Sequence, residues 1–459
     1  MNIDKKWQVL LIVCVGIFMS TLDGSILNIA NPTIAKDFSV PMSKIQWVVT
    51  SYMLVITATL IFFGKLGDKL GNHNVYAQGF LWFTLGSFFC SISASLTFLV
   101  ISRIIQAFGA SMLMANGMGI VSNAFPPEER GKALGLTGSM VGIGNMAGPS
   151  IGGFLVAGFG WPIIFVINIP IGIVGYYFAN RYLPKTILHD DKTPFDYIGI
   201  LLFAFFAILL ILSLSKPSSA NLFILLISLI FLTLFLFYEK RVSFPMLDFS
   251  LFKVKAFVYG NILGFFAYTS QTFITFLIPF YLERLLLFSP AFSGLLMTIP
   301  PLTMAITAPI AGSLSDKFGS DKLTSLGFLL LLGAHLLCTG LGDNVSLYYL
   351  ISALFLAGLG MGVFGSPNNN SIMGSVPPHK VGYTGGFIST VRNFCFSLGI
   401  AVSTGVFTFL LAFNERNFSY ALAYTKANQM VYLIPAALAF IGLVISILTS
   451  NTRGKNGSL

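Results

Sequence analysis

Apolar runs of about twenty residues, bounded by Gly, Pro, Asn or charge, recur along the whole chain, and this feature decides the solvent in which it folds. At 1.5 Å per residue such a run crosses a hydrocarbon core of ~30 Å as a helix. In lipid each backbone N–H and C=O must be satisfied internally, so repeated runs of this length specify an all-α polytopic membrane protein. About fourteen candidates fall near 9–31, 46–64, 75–95, 97–121, 134–157, 161–182, 197–215, 220–238, 256–282, 291–314, 322–341, 345–366, 381–412 and 430–450. Only 9% of residues are charged and mean hydropathy is +0.84, against about a quarter charged in a soluble domain, which excludes a soluble enzyme. No short early apolar core precedes a small-residue cleavage site, so no removable signal peptide is expected.

An even number of spans puts both termini on one side. With this assignment one set of loops and ends holds most of the basic residues, among them Lys5, Lys6, Lys69, Arg130, Arg181, Lys240, Lys317 and Lys380, while the other holds only Lys36, Lys44, Lys216, Arg284, Arg416 and Lys426. Cytoplasmic loops collect Lys and Arg, so both termini are expected in the cytoplasm. The same bias accounts for the net charge of +10 without a nucleic-acid partner. Cys14, Cys90, Cys338 and Cys395 lie in apolar runs without CxxC spacing, which suggests neither disulfides nor zinc. No P-loop and no cluster among His73, His189, His335 and His379 is visible, so the expected energy source is an ion gradient, with no cofactor or metal.

The chain repeats itself. Gly64-Lys-Leu-Gly-Asp68-Lys69-Leu-Gly71 after the second run matches Gly312-Ser-Leu-Ser-Asp316-Lys317-Phe-Gly319 after the tenth, with Asp68 and Asp316 248 residues apart. Pro126-Pro127 with Gly131 and Gly135 matches Pro377-Pro378 with Gly382 and Gly386, and Gly131 and Gly382 are 251 apart. The step covers eight helices, which two six-helix bundles separated by two extra helices reproduce. The expected organisation is 6 + 2 + 6: a bundle over 1–182, two inserted helices and linkers over 183–255, and a second bundle over 256–459 in the same orientation. Parallel halves of this kind occur in secondary transporters.

These residues resemble the major facilitator superfamily, and within it the 14-helix drug:proton antiporters that export quaternary ammonium compounds, dyes and fluoroquinolones. The likeness rests on Leu22-Asp23-Gly-Ser-Ile-Leu-Asn28-Ile-Ala-Asn31-Pro32, the GxLxDKxG turns and Arg103-Ile-Ile-Gln106-Ala-Phe-Gly109-Ala110. It extends through an antiporter motif, Gly144-Asn-Met-Ala-Gly148-Pro149-Ser-Ile-Gly152-Gly153, and Phe165-Val-Ile-Asn168-Ile-Pro170. Asn72-His73-Asn74, Ala107 and Trp161-Pro162 depart from the family's pattern. The resemblance implies two pseudo-symmetric bundles, a bacterial cytoplasmic membrane, drugs and protons as partners, and function as a monomer.

Asp23 is the only carboxylate deep inside a run, about 21 Å along a helix counted from Val9. An ionised Asp in lipid is costly and is a functional candidate by default, here for proton coupling; the alternative is a structural acid satisfied by an Arg or amide. Arg103 falls at a similar depth and is its expected partner. Asp23 could also attract a lipophilic cation as a substrate contact; Asn28, Asn31 and Gln271 are candidate contacts that could instead join helices, Glu283 is a candidate whose alternative is a wetted rim residue, and Arg392 is a candidate whose alternative is a purely structural role. Gly144, Gly148 and Gly152 make a flat helical strip, with Gly138 and Gly142 a second, and Pro149 can bend the helix. The resemblance assigns Asp68 and its turn to a conformational gate. The leading expectation is a proton-driven multidrug exporter. A proton-coupled carrier of a narrow endogenous substrate, such as a lipid precursor, siderophore or metabolite, is the alternative; a sensor or channel fits less well.

Overall fold

The computed structural model describes residues 5–184, 196–215, 219–242, 245–377 and 380–456, and every regular element among them is helical. The first half holds α1 (Lys5–Asp37), α2 (Met42–Leu70), α3 (Asn72–Ser91), α4 (Leu96–Ala124), α5 (Pro127–Phe159), α6 (Ile163–Val166) and α7 (Asn168–Tyr182). The inserted pair is α8 (Tyr197–Leu214) and α9 (Ser219–Glu239). The second half holds α10 (Lys255–Phe280), α11 (Pro290–Met297), α12 (Ile299–Phe318), α13 (Ser320–Cys338), α14 (Leu347–Gly374), α15 (Val381–Asn414), α16 (Tyr420–Val431) and α17 (Leu433–Asn456).

Among the described residues twelve spans are long and apolar enough to cross a bilayer, and α2 and α3, at 29 and 20 residues, also have the length. Together they occupy the positions of the fourteen apolar runs. Three spans are each built from two helices, α6–α7, α11–α12 and α16–α17, and one cause explains all three breaks. The leading helix ends at Val166, Met297 or Val431, each four residues before a proline: Pro170, Pro301 and Pro435. Proline has no N–H to donate to that carbonyl, and its ring crowds it. The last span also starts earlier than hydropathy indicates, at Tyr420 rather than 430. Its first turns carry Thr425 and Asn428, which are polar yet buried among other helices, so they lower the hydropathy without marking a loop.

By contacts the chain divides into two units: Met1–Leu210 with Leu225–Leu247, and Ile211–Ile224 with Asp248–Leu459. In the first, α1 packs on α5 and α4, and α3 lies against α4 and α7. In the second, α13 packs on α14 and α17, and α10 on α15. Helix α9 is only 11% buried along its most apolar stretch, against 78% for the α10 span, so the inserted pair presents mostly apolar side chains to lipid.

The duplication is visible in the backbone. Gly71 and Gly319 have φ of +91° and +84°, a region that L side chains rarely enter, and each joins two consecutive helices at the end of a GxLxDKxG turn. A second echo lies where α3 crosses α4 and α13 crosses α14. A Cβ on Gly109 would strike the backbone of Phe83 and the Gly79 carbonyl, and one on Gly360 would strike Leu331 and the Gly327 carbonyl. Gly79 and Gly327 are 248 residues apart, and Gly109 and Gly360 are 251 apart.

Candidate functional site

Five helices of the first unit converge on one buried ion pair. Asp23, midway along α1, is 1% exposed, and Arg103 of α4 is 0% exposed. Arg103 Nη1 donates to Asp23 Oδ2 at 2.5 Å and to Gln106 Oε1 at 2.5 Å, and its Nε donates to the Val48 carbonyl at 3.1 Å. The guanidinium carbon stands 3.9 Å from the centre of the Tyr52 ring, a cation–π contact from α2. The other carboxylate oxygen, Asp23 Oδ1, accepts from Gln106 Nε2 at 2.8 Å and from Asn168 Nδ2 at 2.9 Å. Gln106 Nε2 also donates to Ser87 Oγ of α3 at 2.8 Å. Gln106 is one helical turn from Arg103 on the same face, so its amide bridges cation and anion. Charges this deep persist only when paired and hydrogen-bonded, and here the carboxylate accepts three side-chain bonds.

The α5 glycine strip packs directly behind Asp23. A Cβ on Gly144 would fall on Thr21 Oγ1, one on Gly148 on Ser25 Oγ, and one on Gly152 on Ile26, so α5 lies glycine-first against the stretch of α1 that carries the acid. Ser25 Oγ donates to the Gly144 carbonyl at 3.0 Å across this seam. Pro149 and Gly153 are buried in the same helix, which continues through the proline. Gly138 and Gly142 differ from this strip: a Cβ on either meets open space, because α1 contacts α5 along another face. Trp161 bonds Asp37 Oδ2 through Nε1 at 2.8 Å and so ties the start of the sixth span to the end of α1.

The other sequence candidates are dispersed. Asn31 is buried, and neither amide atom has a hydrogen-bond partner among the described residues; Asn28 is half-buried. In the second unit Arg392 lies on α15, Tyr268 on α10 and Asn369 on α14. Gln271, one turn beyond Tyr268, is buried. Glu283 and Arg284 are half-buried in a widened turn, Tyr281–Leu285, at the end of α10. Gly64 has no neighbour that would oppose a side chain, and Gly312 lies against Ser366. Lys69 is exposed, whereas the side chains of Asp68 and Asp316 lie outside the described residues. Sequence reasoning did not assign Gln106, Asn168, Tyr52 or Asn369 to a site. Gln106 and Asn168 stand in stretches that carry the family resemblance, and Gln106 is one turn from Arg103, but an isolated amide or phenol in an apolar run does not reveal its partner.

The Major Facilitator Superfamily model matches residues 13–238 and 261–458. Riboflavin transporter RibZ of Clostridioides difficile (strain 630) is 49% identical over 452 residues, covering 98% of this chain and 99% of that protein. Multidrug transporter protein MdtP of Bacillus subtilis (strain 168) is 31% identical over 367 residues, covering 78% and 68%. Among solved structures, an inward-facing bacterial homologue of the human lysosomal transporter Spinster has a TM-score of 0.69 at 15% identity, covering 99% of both chains. The peptide transporter POT has 0.70 at 16%, covering 97% of this chain and 98% of its own. At these identities the two structures speak to the fold alone. With duplicated helical halves and a family match over both of them, this chain belongs to the major facilitator superfamily and is a multi-pass membrane transporter of small molecules.

Proposed function

We propose that the chain carries a narrow class of polar heteroaromatic metabolites across the bacterial cytoplasmic membrane, with riboflavin the first candidate, and that it works as a monomer with both termini in the cytoplasm. The observation that carries this reading is the 49% identity to a riboflavin transporter along nearly the full length of both chains. It favours the narrow-substrate alternative over the broad drug exporter expected from motifs. Chemistry supports it as well. A flat ring with a hydroxylated chain loses many hydrogen bonds to water on entering a membrane protein, and the carrier must replace them. In the second unit Gln271 Oε1, Asn369 Oδ1, Thr390 Oγ1 and Asn393 Nδ2 are buried with no hydrogen-bond partner among the described residues, and Arg392 lies on α15 with Thr390 and Asn393. A polyhydroxylated solute suits such a set better than a lipophilic cation does.

Proton motive force is the proposed energy source, with Asp23 and Arg103 as the coupling pair. Asp23 has three side-chain donors in place here, and movement of α4 would free it from Arg103 and Gln106. The glycine strip seals α5 on α1, and the two GxLxDKxG turns serve as the gate. The second reading, a 14-helix drug:proton antiporter, is favoured by the α5 motif and by the likeness to MdtP. Titrating purified protein into riboflavin and following flavin fluorescence separates the two. Saturable quenching that Arg392→Ala and Gln271→Ala weaken supports the metabolite reading. Binding of ethidium with no flavin response refutes it.

A further inference from the structure

We infer that a furrow between α1, α5 and α7 holds one anionic phospholipid from the surrounding leaflet. The furrow lies within the first unit, encloses about 730 Å³, and has walls that include Trp7, Leu11, Val15, Met140, Val174 and Tyr182. From Trp7 to Val15 it runs about 12 Å along α1, close to the depth of one leaflet's acyl chains in a core of ~30 Å. Its polar lining groups include Gln8 and Ser139, and both already make contacts of their own, so the walls offer little to a hydrogen-bonding solute and much to a hydrocarbon chain.

The mouth supplies the headgroup chemistry. Trp7, in the first turn of α1, and Tyr182, the last residue of α7, both line the furrow, and amphipathic rings favour the level of lipid headgroups. Lys5 is exposed and stands one turn before Gln8 on the same face of α1. Arg181 is exposed, with its guanidinium carbon 6.0 Å from the centre of the Tyr182 ring. Lys6, by contrast, is paired with Glu129 of α5 at 2.8 Å. An apolar slot of leaflet depth beneath two exposed cations fits an acyl chain capped by a phosphate and carrying a net negative charge.

The test uses Trp7 as reporter, with Trp47, Trp82 and Trp161 changed to Phe, in phosphatidylcholine vesicles doped with brominated phosphatidylglycerol or brominated phosphatidylcholine. Quenching of Trp7 is expected to half-saturate at a lower mole fraction of the anionic lipid, by about fivefold for each basic group engaged. Lys5→Gln with Arg181→Gln should abolish that preference, and Val174→Phe should lower the maximal quenching by either lipid. Equal half-saturation for the two lipids would make the furrow ordinary annular contact and overturn the proposal. So would iodide reaching Trp7 when neither lipid does, since the furrow would then be wet. Should the single-tryptophan variant fold poorly, native mass spectrometry of the parent decides: retained phosphatidylglycerol that the Lys5→Gln/Arg181→Gln variant loses supports the site, and equal retention refutes it.

Discussion

Replacing Asp23 by Asn tests whether the buried pair holds the first unit together. The change keeps the side chain's shape and its ability to accept from Gln106 and Asn168, but it leaves Arg103 charged, fully buried and without its counter-ion. Removing one partner of a buried pair costs about 3–5 kcal/mol. Arg103 retains the Val48 carbonyl, Gln106 Oε1 and the face of Tyr52, so the cost should fall at the low end, about 3 kcal/mol. At about 2–4 °C per kcal/mol for a unit of 150–250 residues, the midpoint should drop roughly 6–12 °C. The assay is thermal unfolding in detergent at one fixed scan rate, because such melts are often irreversible. The variants are Asp23→Asn, Arg103→Gln and the double. If the coupling is as drawn, the double loses about 2 kcal/mol less than the sum of the singles. A single variant melting within about 1 °C of the parent, or strict additivity, would show that the pair does not constrain the fold.

Gly148→Leu puts its first carbon on Ser25 Oγ and 2.9 Å from the Ile26 backbone nitrogen, so α5 must move off α1. The expected cost is at or above the upper end of about 1–3 kcal/mol for overpacking, with transport lost and folded yield reduced; parental transport would deny the seam a role. Single cysteines replacing Lys69 and Lys317, both exposed, should resist an impermeant thiol reagent added to intact cells, and labelling of both would invert the topology. The loop between α9 and α10 offers a pH test. Burial alone would raise the Asp248 carboxyl, but the Lys380 ammonium at 2.6 Å and the Ser250 bonds outweigh it and hold it below its ordinary 3.8. A lowered carboxyl contributes stability above its unfolded value and loses it as pH falls through the folded one. Lys380→Ala should therefore cost at most about 1 kcal/mol at pH 7 and nothing measurable at pH 2, and a penalty independent of pH would contradict this.

Most of the architecture is legible in the sequence because lipid leaves the backbone one economical solution, and apolar runs report it directly. Asp23 and Arg103 stand out for the same reason, since charge in such a run demands a partner, and counting residues places them at one depth. Gly71 and Gly319 are legible through repetition. The rest of the pair's shell is not: Gln106, Asn168 and Tyr52 arrive from three helices, and no local pattern tells which buried amide faces which acid. The early start of the last span is hidden because Thr425 and Asn428 are polar residues in a packed interior. Gly138 and Gly142 look like a packing strip in one dimension, whereas the rotation of α5 against α1 decides which glycines are covered. Substrate range is hardest to read: buried polar atoms without a partner, such as Gln271 Oε1, Asn369 Oδ1 and Asn393 Nδ2, stand out only once the helices are packed.

Counterflow in proteoliposomes decides whether the substrate is a narrow class of metabolite. Vesicles preloaded with unlabelled riboflavin should accumulate labelled riboflavin transiently, with ethidium at equal concentration neither exchanging nor competing. Exchange of ethidium and of structurally unrelated drugs, with no counterflow of riboflavin, would contradict the account and return the chain to the multidrug reading.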